Sequence, residues 1–107
     1  MDKTKYYKVI LVFNLQPGKA DEELRRSKEE NSFPSLLAKQ SGFVELELVK
    51  INDEKTMSVQ TWETEKDWWT ALETVKAINS NSHHNSEREN ILISRDFLSG
   101  YIQVHTL

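Results

Sequence analysis

The segment Tyr6–Leu15 constrains the fold most, because both of its alternating sets of side chains are largely apolar. Its sequence is YYKVILVFNL, which is rich in β-branched and aromatic residues. A strand with one face in water would alternate apolar and polar residues, so this pattern predicts a central strand that is covered on both faces. The chain has 107 residues, of which 37% are hydrophobic and 29% are charged. These values predict a single globular domain over residues 1–107.

Turn residues and helix formers divide the rest of the chain. Pro17 and Gly18 end the first strand, and Pro34 interrupts the next helix because its ring clashes with the preceding turn. Gly42 fits the left-handed conformation that ends this helix, and Thr64 predicts the cap of a second helix. The predicted elements are a strand at Tyr6–Leu15, a helix at Ala20–Glu30 that restarts at Pro34, paired strands at Phe43–Ile51 and Thr56–Trp62, a helix at Lys66–Asn79, a loop at Ser80–Asn90 and a strand at Tyr101–Thr106. The pattern of Ile91–Leu98 fits a strand and a helix equally.

The two helices differ in how they present their side chains. Asp21–Glu30 is a run of mixed charge, which is typical of a helix face in water, with Leu24 on the buried side. In the second helix the apolar residues recur at helical spacing and predict a buried stripe. Its members are Trp68, Leu72, Val75 and Ile78. The adjacent Trp69 points about 100° away from Trp68, so we expect it at a dimer seam, at a pocket mouth or in solvent.

The order strand, helix, strand, strand, helix, strand predicts an α+β, ferredoxin-like βαββαβ domain. In that topology a four-stranded antiparallel sheet carries both helices on one face, and its other face is open. Here the first two strands are apolar on both faces, and an open apolar face of that extent is unusual on a monomer. A second copy packed with two-fold symmetry would cover it, which predicts a homodimer.

Charge and composition exclude several functions. Lys and Arg number 14 against 17 Asp and Glu, which gives a net charge of −3. Nucleic-acid binding and binding to anionic membranes need the opposite balance, so neither is expected. The chain contains no Cys, which excludes disulfides, thiolate catalysis and zinc fingers. It also has no apolar run long enough to cross a membrane and no recognisable leader, so we expect a cytoplasmic protein.

Three motifs in this order resemble the antibiotic biosynthesis monooxygenase family of dimeric α+β barrels. They are Leu15–Lys19 (LQPGK), Ser41–Phe43 (SGF) and Val59–Trp68 (VQTWETEKDW). The resemblance implies a homodimer whose two sheets form one barrel, with a small pocket in each subunit between its sheet and its own helices. It also implies oxygenation of phenols or quinols without a metal or other cofactor, although some members degrade haem and others have no known reaction.

The candidate site residues centre on the strand that ends at Trp62. The resemblance implies that Trp62 lines the pocket, and Ser58 and Gln60 share its strand face. Burying polar groups without partners costs on the order of 1 to 3 kcal/mol each, which favours a cavity there. The alternative is that Ser58 and Gln60 bond within the sheet while Trp62 belongs to the core. The predicted substrate-binding residues are Asn14, Ser58, Gln60 and Trp69, and the predicted catalytic residues are Trp62, His83 and His84.

His83 and His84 lie in the predicted loop and could act as a general base on a phenol, because imidazole titrates near neutral pH. The alternative is a solvated polar loop, since adjacent histidines lack the spacing of a metal pair. His105 is expected to be structural or interfacial. The favoured function is a cofactor-independent monooxygenase that acts on a small phenol or quinol. The alternatives are a dimer that binds a small aromatic molecule without chemistry and, less favoured, a haem-binding or haem-degrading protein with Asn14 and a loop histidine as the family's haem residues.

Overall fold

A computed structural model describes residues 5–79 and 90–105 of the chain. It contains four strands and three helices in this part of the sequence. In chain order these are β1 (Tyr7–Leu15), α1 (Ala20–Ser27), α2 (Phe33–Leu37), β2 (Phe43–Asn52), β3 (Lys55–Trp62), α3 (Glu65–Asn79) and β4 (Leu92–Tyr101).

The strands form one antiparallel sheet in the order β2-β3-β1-β4. The two central strands are β1, as the apolar pattern of Tyr6–Leu15 predicts, and β3. The helices cover one face, where Val9 and Trp62 are fully buried together with Trp68 and Val75 of α3. The α+β, ferredoxin-like fold predicted from the order of elements is confirmed.

The break at Pro34 is also confirmed, and it divides the first helical segment into α1 and α2. Pro34 occupies the second position of α2, where its missing N–H costs nothing. The Ser32 hydroxyl caps α2 by accepting a hydrogen bond from the Ser35 N–H over 3.3 Å. Between the helices, Asn31 has φ 68°, a left-handed conformation that Asn tolerates better than most residues.

The second predicted cap is present at the start of α3. The Thr64 Oγ1 accepts a hydrogen bond from the Asp67 N–H over 3.1 Å and donates to the Asp67 carboxylate over 2.8 Å. Gly42 packs against this cap with φ 85°, as expected for a left-handed residue. It does not end a helix, however, because α2 ends at Leu37 and Gly42 lies in the turn before β2.

Two further expectations are wrong. The last strand is Leu92–Tyr101 and not Tyr101–Thr106, because the ambiguous segment pairs with β1 along its whole length. His105 consequently lies beyond the strand. Ile78 is 55% exposed, so the buried stripe of α3 ends at Val75.

The helix-free face of the sheet is apolar at its centre, as the sequence predicts. The register aligns Leu98, Ile10 and Val59 in one row across three strands. A second row aligns Val12, Met57 and Val49. We call these six residues the open-face patch. Within it, Leu98 is 64% exposed and Val49 is 38% exposed.

Polar groups lie at both ends of the patch. At one end, the Lys8 Nζ donates to the Thr61 hydroxyl over 2.8 Å. At the other, the Asn14 amide donates to Ser94 over 3.1 Å and to Asp96 over 3.3 Å. Among the described residues, no helix is both long enough and apolar enough to cross a bilayer.

Candidate functional site

A small cavity, partly open to solvent, lies on the helix-covered side of the sheet between the sheet and helices α1 and α2. Its volume is about 30 Å³, which is room for about one water molecule. One wall is polar and the others are apolar. The lining residues are Leu11, Phe13, Glu23, Leu24, Ser27, Phe33, Pro34, Leu37, Leu48, Thr56, Ser58 and Gln60.

The polar wall comes from β3, because alternate residues of a strand point to the same face. Thr56, Ser58 and Gln60 are all buried and border the cavity. The Gln60 Nε2 donates a hydrogen bond to the Ser58 Oγ over 3.1 Å. Two of the predicted substrate-binding residues, Ser58 and Gln60, therefore lie together at a cavity.

Trp62 is joined to this wall through a hydrogen bond. Its indole Nε1 donates to the Gln60 Oε1 over 3.0 Å. The Trp62 ring is fully buried, 5.5 Å from the ring centre of Phe43 and 5.8 Å from that of Trp68. Trp62 thus packs in the aromatic core behind the cavity and orients Gln60, whereas the resemblance places it in the pocket wall.

Two other predicted site residues, Asn14 and Trp69, are not brought to this cavity. Asn14 faces the opposite side of the sheet, because its position alternates with the buried Phe13 and Leu15. Trp69 is 43% exposed on α3, where its Nε1 donates to the Glu65 carboxylate over 3.2 Å. His83 and His84 lie outside the described residues. Within those residues, no cluster of three or more His, Cys, Asp or Glu side chains could hold a metal ion.

Sequence reasoning missed Glu23, which lines the cavity and is only 3% exposed. The charge run Asp21–Glu30 predicts a solvated helix face, and for Glu23 that prediction is wrong. The helical spacing contains the missing signal. Ala20, Glu23, Leu24 and Ser27 recur at intervals of three and four residues, which places Glu23 in the buried stripe of α1.

An ion-pair cluster holds the start of α1 against the β2–β3 hairpin. The Lys50 ammonium lies 3.0 Å from the Asp21 carboxylate and 3.4 Å from that of Asp53. The hydrogen bond to Asp21, together with the negative charge of both carboxylates, raises the pKa of Lys50. The backbone N–H of Ala20 also donates to the Asp53 carbonyl over 2.9 Å. The backbone hydrogen bond ties to the hairpin the end of α1 that lies one turn before Glu23, and the exposed ion pairs add to it only modestly.

A second cavity, of about 40 Å³, lies at one end of the open face. Its lining residues are Tyr6, Lys8, Val44, Glu45, Thr61, Ile102 and His105. This places His105 at the margin of the open-face patch, away from the helix-side cavity.

Several solved structures share this fold over nearly the whole chain. A dimeric ferredoxin-like protein from an uncultured marine organism matches with a TM-score of 0.75 and 10% identity, covering 99% of this chain and 96% of its own. A point mutant of SnoaB, a cofactor-independent oxygenase from Streptomyces nogalater, matches with a TM-score of 0.71 and 14% identity, covering 94% and 96%. A point mutant of MhuD, with two manganese protoporphyrins bound per active site, matches with a TM-score of 0.74 and 14% identity, covering 94% and 97%.

Candidate antibiotic biosynthesis monooxygenases from Bacillus cereus and Chloroflexus aurantiacus match with TM-scores of 0.63, at 18% and 10% identity. They cover 96% and 90% of this chain and are themselves covered to 98% and 91%. No family model and no curated protein sequence matches the chain. The resemblance to the antibiotic biosynthesis monooxygenase family is therefore confirmed at the level of the fold. Because one fold supports many activities, the function must be argued from the site.

Proposed function

We propose that this protein is a homodimeric, cofactor-independent oxygenase that acts on a small phenol or quinol in the helix-side cavity. The observation that carries the proposal is the buried hydrogen-bonded chain from Trp62 through Gln60 to Ser58, which ends at the wall of that cavity. Its likeness in fold to SnoaB supports the reaction class. The cytoplasmic location expected from the sequence stays a prediction.

The lining suits a neutral aromatic molecule that carries a hydroxyl group. Apolar side chains such as Leu11, Phe33 and Leu37 would contact the ring, and the polar wall of β3 would orient the hydroxyl. A base removes the hydroxyl proton, and the anion then transfers one electron to dioxygen. Recombination of the two radicals forms the carbon–oxygen bond, and loss of water leaves the quinone. For a simple phenol the sum is one phenol and one dioxygen giving one quinone and one water.

The cavity must enlarge to admit such a ring. A cavity of about 150 Å³ binds benzene in a protein core, several times the volume present here. The backbone hydrogen bond from Ala20 to Asp53 holds the first turn of α1, so we place the movement at the joint between α1 and α2, around Asn31. Displacement of Phe33 and Pro34 at this joint would widen the cavity and its opening to solvent.

Oxygen uptake with a panel of hydroquinones and phenols tests the reaction. We expect uptake that saturates with substrate. Each dioxygen consumed should yield one quinone from a phenol, or one hydroxyquinone from a hydroquinone, together with one water and no hydrogen peroxide. Trp62→Phe should lower kcat, because Gln60 loses the donor that orients it. A double His83→Ala, His84→Ala variant tests the loop histidines as the base. Uptake at the wild-type rate in Trp62→Phe would remove Trp62 from the mechanism.

The same assay separates the alternatives. Saturable binding of a phenol without oxygen uptake by any member of the panel would identify a non-catalytic binding protein. The third alternative is haem binding, which the likeness in fold to MhuD supports. A Soret band on adding haem, lost in the double histidine variant, would identify a haem-binding protein instead.

The homodimer rests on the open-face patch. It combines an apolar centre with hydrogen-bonded polar residues at both ends, which is the arrangement of core and rim in protein interfaces. Fully burying an exposed Leu or Val contributes about 1.5 to 3 kcal/mol, and the patch offers the exposed Leu98 and Val49 on each copy to set against the cost of association. The match to a dimeric ferredoxin-like protein supports this proposal.

Val59 offers a direct test, because it lies at the centre of the patch. Val59→Asp would bury a carboxylate against its symmetry mate and should yield monomers of 12.5 kDa. Ile78→Asp is the matched control, because Ile78 is an exposed apolar residue of α3 outside the patch. A dimeric Val59→Asp variant would exclude this face as the interface.

A further inference from the structure

Glu23 carries a buried carboxyl group to which the oxygenase function proposed above assigns no role. It is 3% exposed, and it is the one ionisable side chain among the twelve described residues that line the helix-side cavity. Its neighbour Glu22 is partly exposed and pairs with Arg26 over 3.4 Å and with Lys19 over 3.5 Å. Adjacent carboxylates on α1 therefore occupy different surroundings, one in the cavity wall and one at the surface.

A carboxylate in this wall would act on a ligand in two ways. It accepts a hydrogen bond from a hydroxyl donor, and such charge-assisted bonds are stronger than those between neutral groups. It also repels a second negative charge, and this repulsion is stronger beside apolar walls than in bulk water. Ser27, Thr56 and Ser58 supply hydroxyl groups in the same cavity that are donors or acceptors but carry no charge.

We infer that Glu23 is the proton acceptor of this site and that it restricts the ligand to small, neutral, hydroxylated aromatic molecules. This inference rests on the proposed function for its catalytic part only. In the step assigned to Glu23, the substrate O–H bond breaks and the proton moves to the carboxylate. The electron pair stays on the phenolate oxygen, which is then oxidised by dioxygen as described above.

The first test measures binding and does not depend on catalysis. 4-Hydroxybenzamide and 4-hydroxybenzoate have nearly the same size, but only the second carries a negative charge. Titration followed by tryptophan fluorescence reports occupancy, because Trp62 is bonded to a residue of the cavity wall. We expect the wild type to prefer the amide by about 10-fold or more, and Glu23→Gln to lose most of that preference. If Glu23→Gln prefers the amide by the same factor as the wild type, the assignment is overturned.

The matched control is Glu22→Gln, which removes a carboxylate one residue away but outside the cavity. It should keep the wild-type preference for the amide. Thermal unfolding of both variants shows that the fold is retained. Glu23→Asp shortens the side chain while keeping its charge, so it should keep the preference for neutral ligands.

The second test measures the proton transfer. Loss of a general base costs about 10²-fold or more, so Glu23→Gln should lower kcat for hydroquinone by about that factor. Glu23→Ala leaves space beside the substrate, and added formate should restore part of its rate. Formate should not rescue Glu23→Gln, whose amide fills that space. Full activity in Glu23→Gln would overturn the catalytic assignment.

The two failures are distinguishable. If the wild type takes up no oxygen with any quinol, the proposed oxygenase function fails, and the binding test still decides whether Glu23 selects neutral ligands. If the wild type is active and Glu23→Gln is equally active, the oxygenase function stands and Glu23 is not its base.

Discussion

Replacing Gln60 with leucine should destabilise the protein more than its volume change suggests. The substitution removes the acceptor of the Trp62 indole N–H and the donor to the Ser58 oxygen. The indole N–H is fixed by its ring in a fully buried position, so it would lose its partner at a cost of about 1 to 3 kcal/mol. Ser58 borders the cavity and can accept a hydrogen bond from water there, so the loss of the Gln60 donor to Ser58 should contribute less to the destabilisation. The expected total is about 2 to 3 kcal/mol, a large share of the stability of a small domain.

A double-mutant cycle isolates the hydrogen bond from the change in packing. Urea unfolding of the wild type, Gln60→Leu, Trp62→Phe and the double variant gives the four free energies, all at one protein concentration because a dimer's stability depends on it. Trp62→Phe removes the same hydrogen bond from the other side, because it leaves the Gln60 oxygen without its indole donor. Once the N–H is absent, Gln60→Leu should cost about 1 kcal/mol less than it does in the wild type. Additive effects within about 0.3 kcal/mol would show that the bond does not couple the two side chains.

Two further predictions concern the elements that frame the site. Gly42→Ala should lower the free energy of unfolding in urea by about 2 kcal/mol or more, because the new Cβ would overlap the Asp67 carboxyl group and φ at this position is positive. Gly18 also has a positive φ but has open space around it, so Gly18→Ala should cost only the backbone strain of about 1 to 2 kcal/mol. Lys50→Met should lose stability at neutral pH and low salt, because Lys50 binds Asp21. The pKa of Lys50 is raised above its ordinary 10.5, so this contribution is present below pH 10.5 and is lost as the pH rises through the raised value. An unchanged difference between wild type and Lys50→Met across that pH range would contradict the ion pair.

The sequence predicts the fold well at positions where the type of one residue strongly restricts the local backbone conformation. Pro34 cannot continue a helix, and the cap at Thr64 needs only residues three positions apart. In Tyr6–Leu15 both alternating sets of side chains are largely apolar, which indicates a central strand. The last strand was harder to predict, because LISRDFLSGY alternates poorly and 9 of its 10 residues are exposed. Its position is set by pairing with β1, which is a tertiary interaction.

The site was only partly predictable. Ser58 and Gln60 follow from strand alternation, which is local, and they do lie at a cavity. Glu23 was hidden in a charged run, where charge suggests solvent and only the helical spacing indicates burial. The family resemblance places Asn14 in the site, whereas its place in the alternation of β1 puts it on the other face. In these cases the geometry of one strand or helix predicts more than residue type does.

Sedimentation equilibrium of the wild-type chain at micromolar concentration tests the architecture on which this account depends. If the sheets of two copies pack together over the apolar residues Ile10, Val12, Met57 and Val59, the particle should have twice the 12.5 kDa mass of the chain. A stable particle of 12.5 kDa would mean that this face is tolerated in water. The barrel arrangement, and the case for an oxygenase site that builds on it, would then be contradicted.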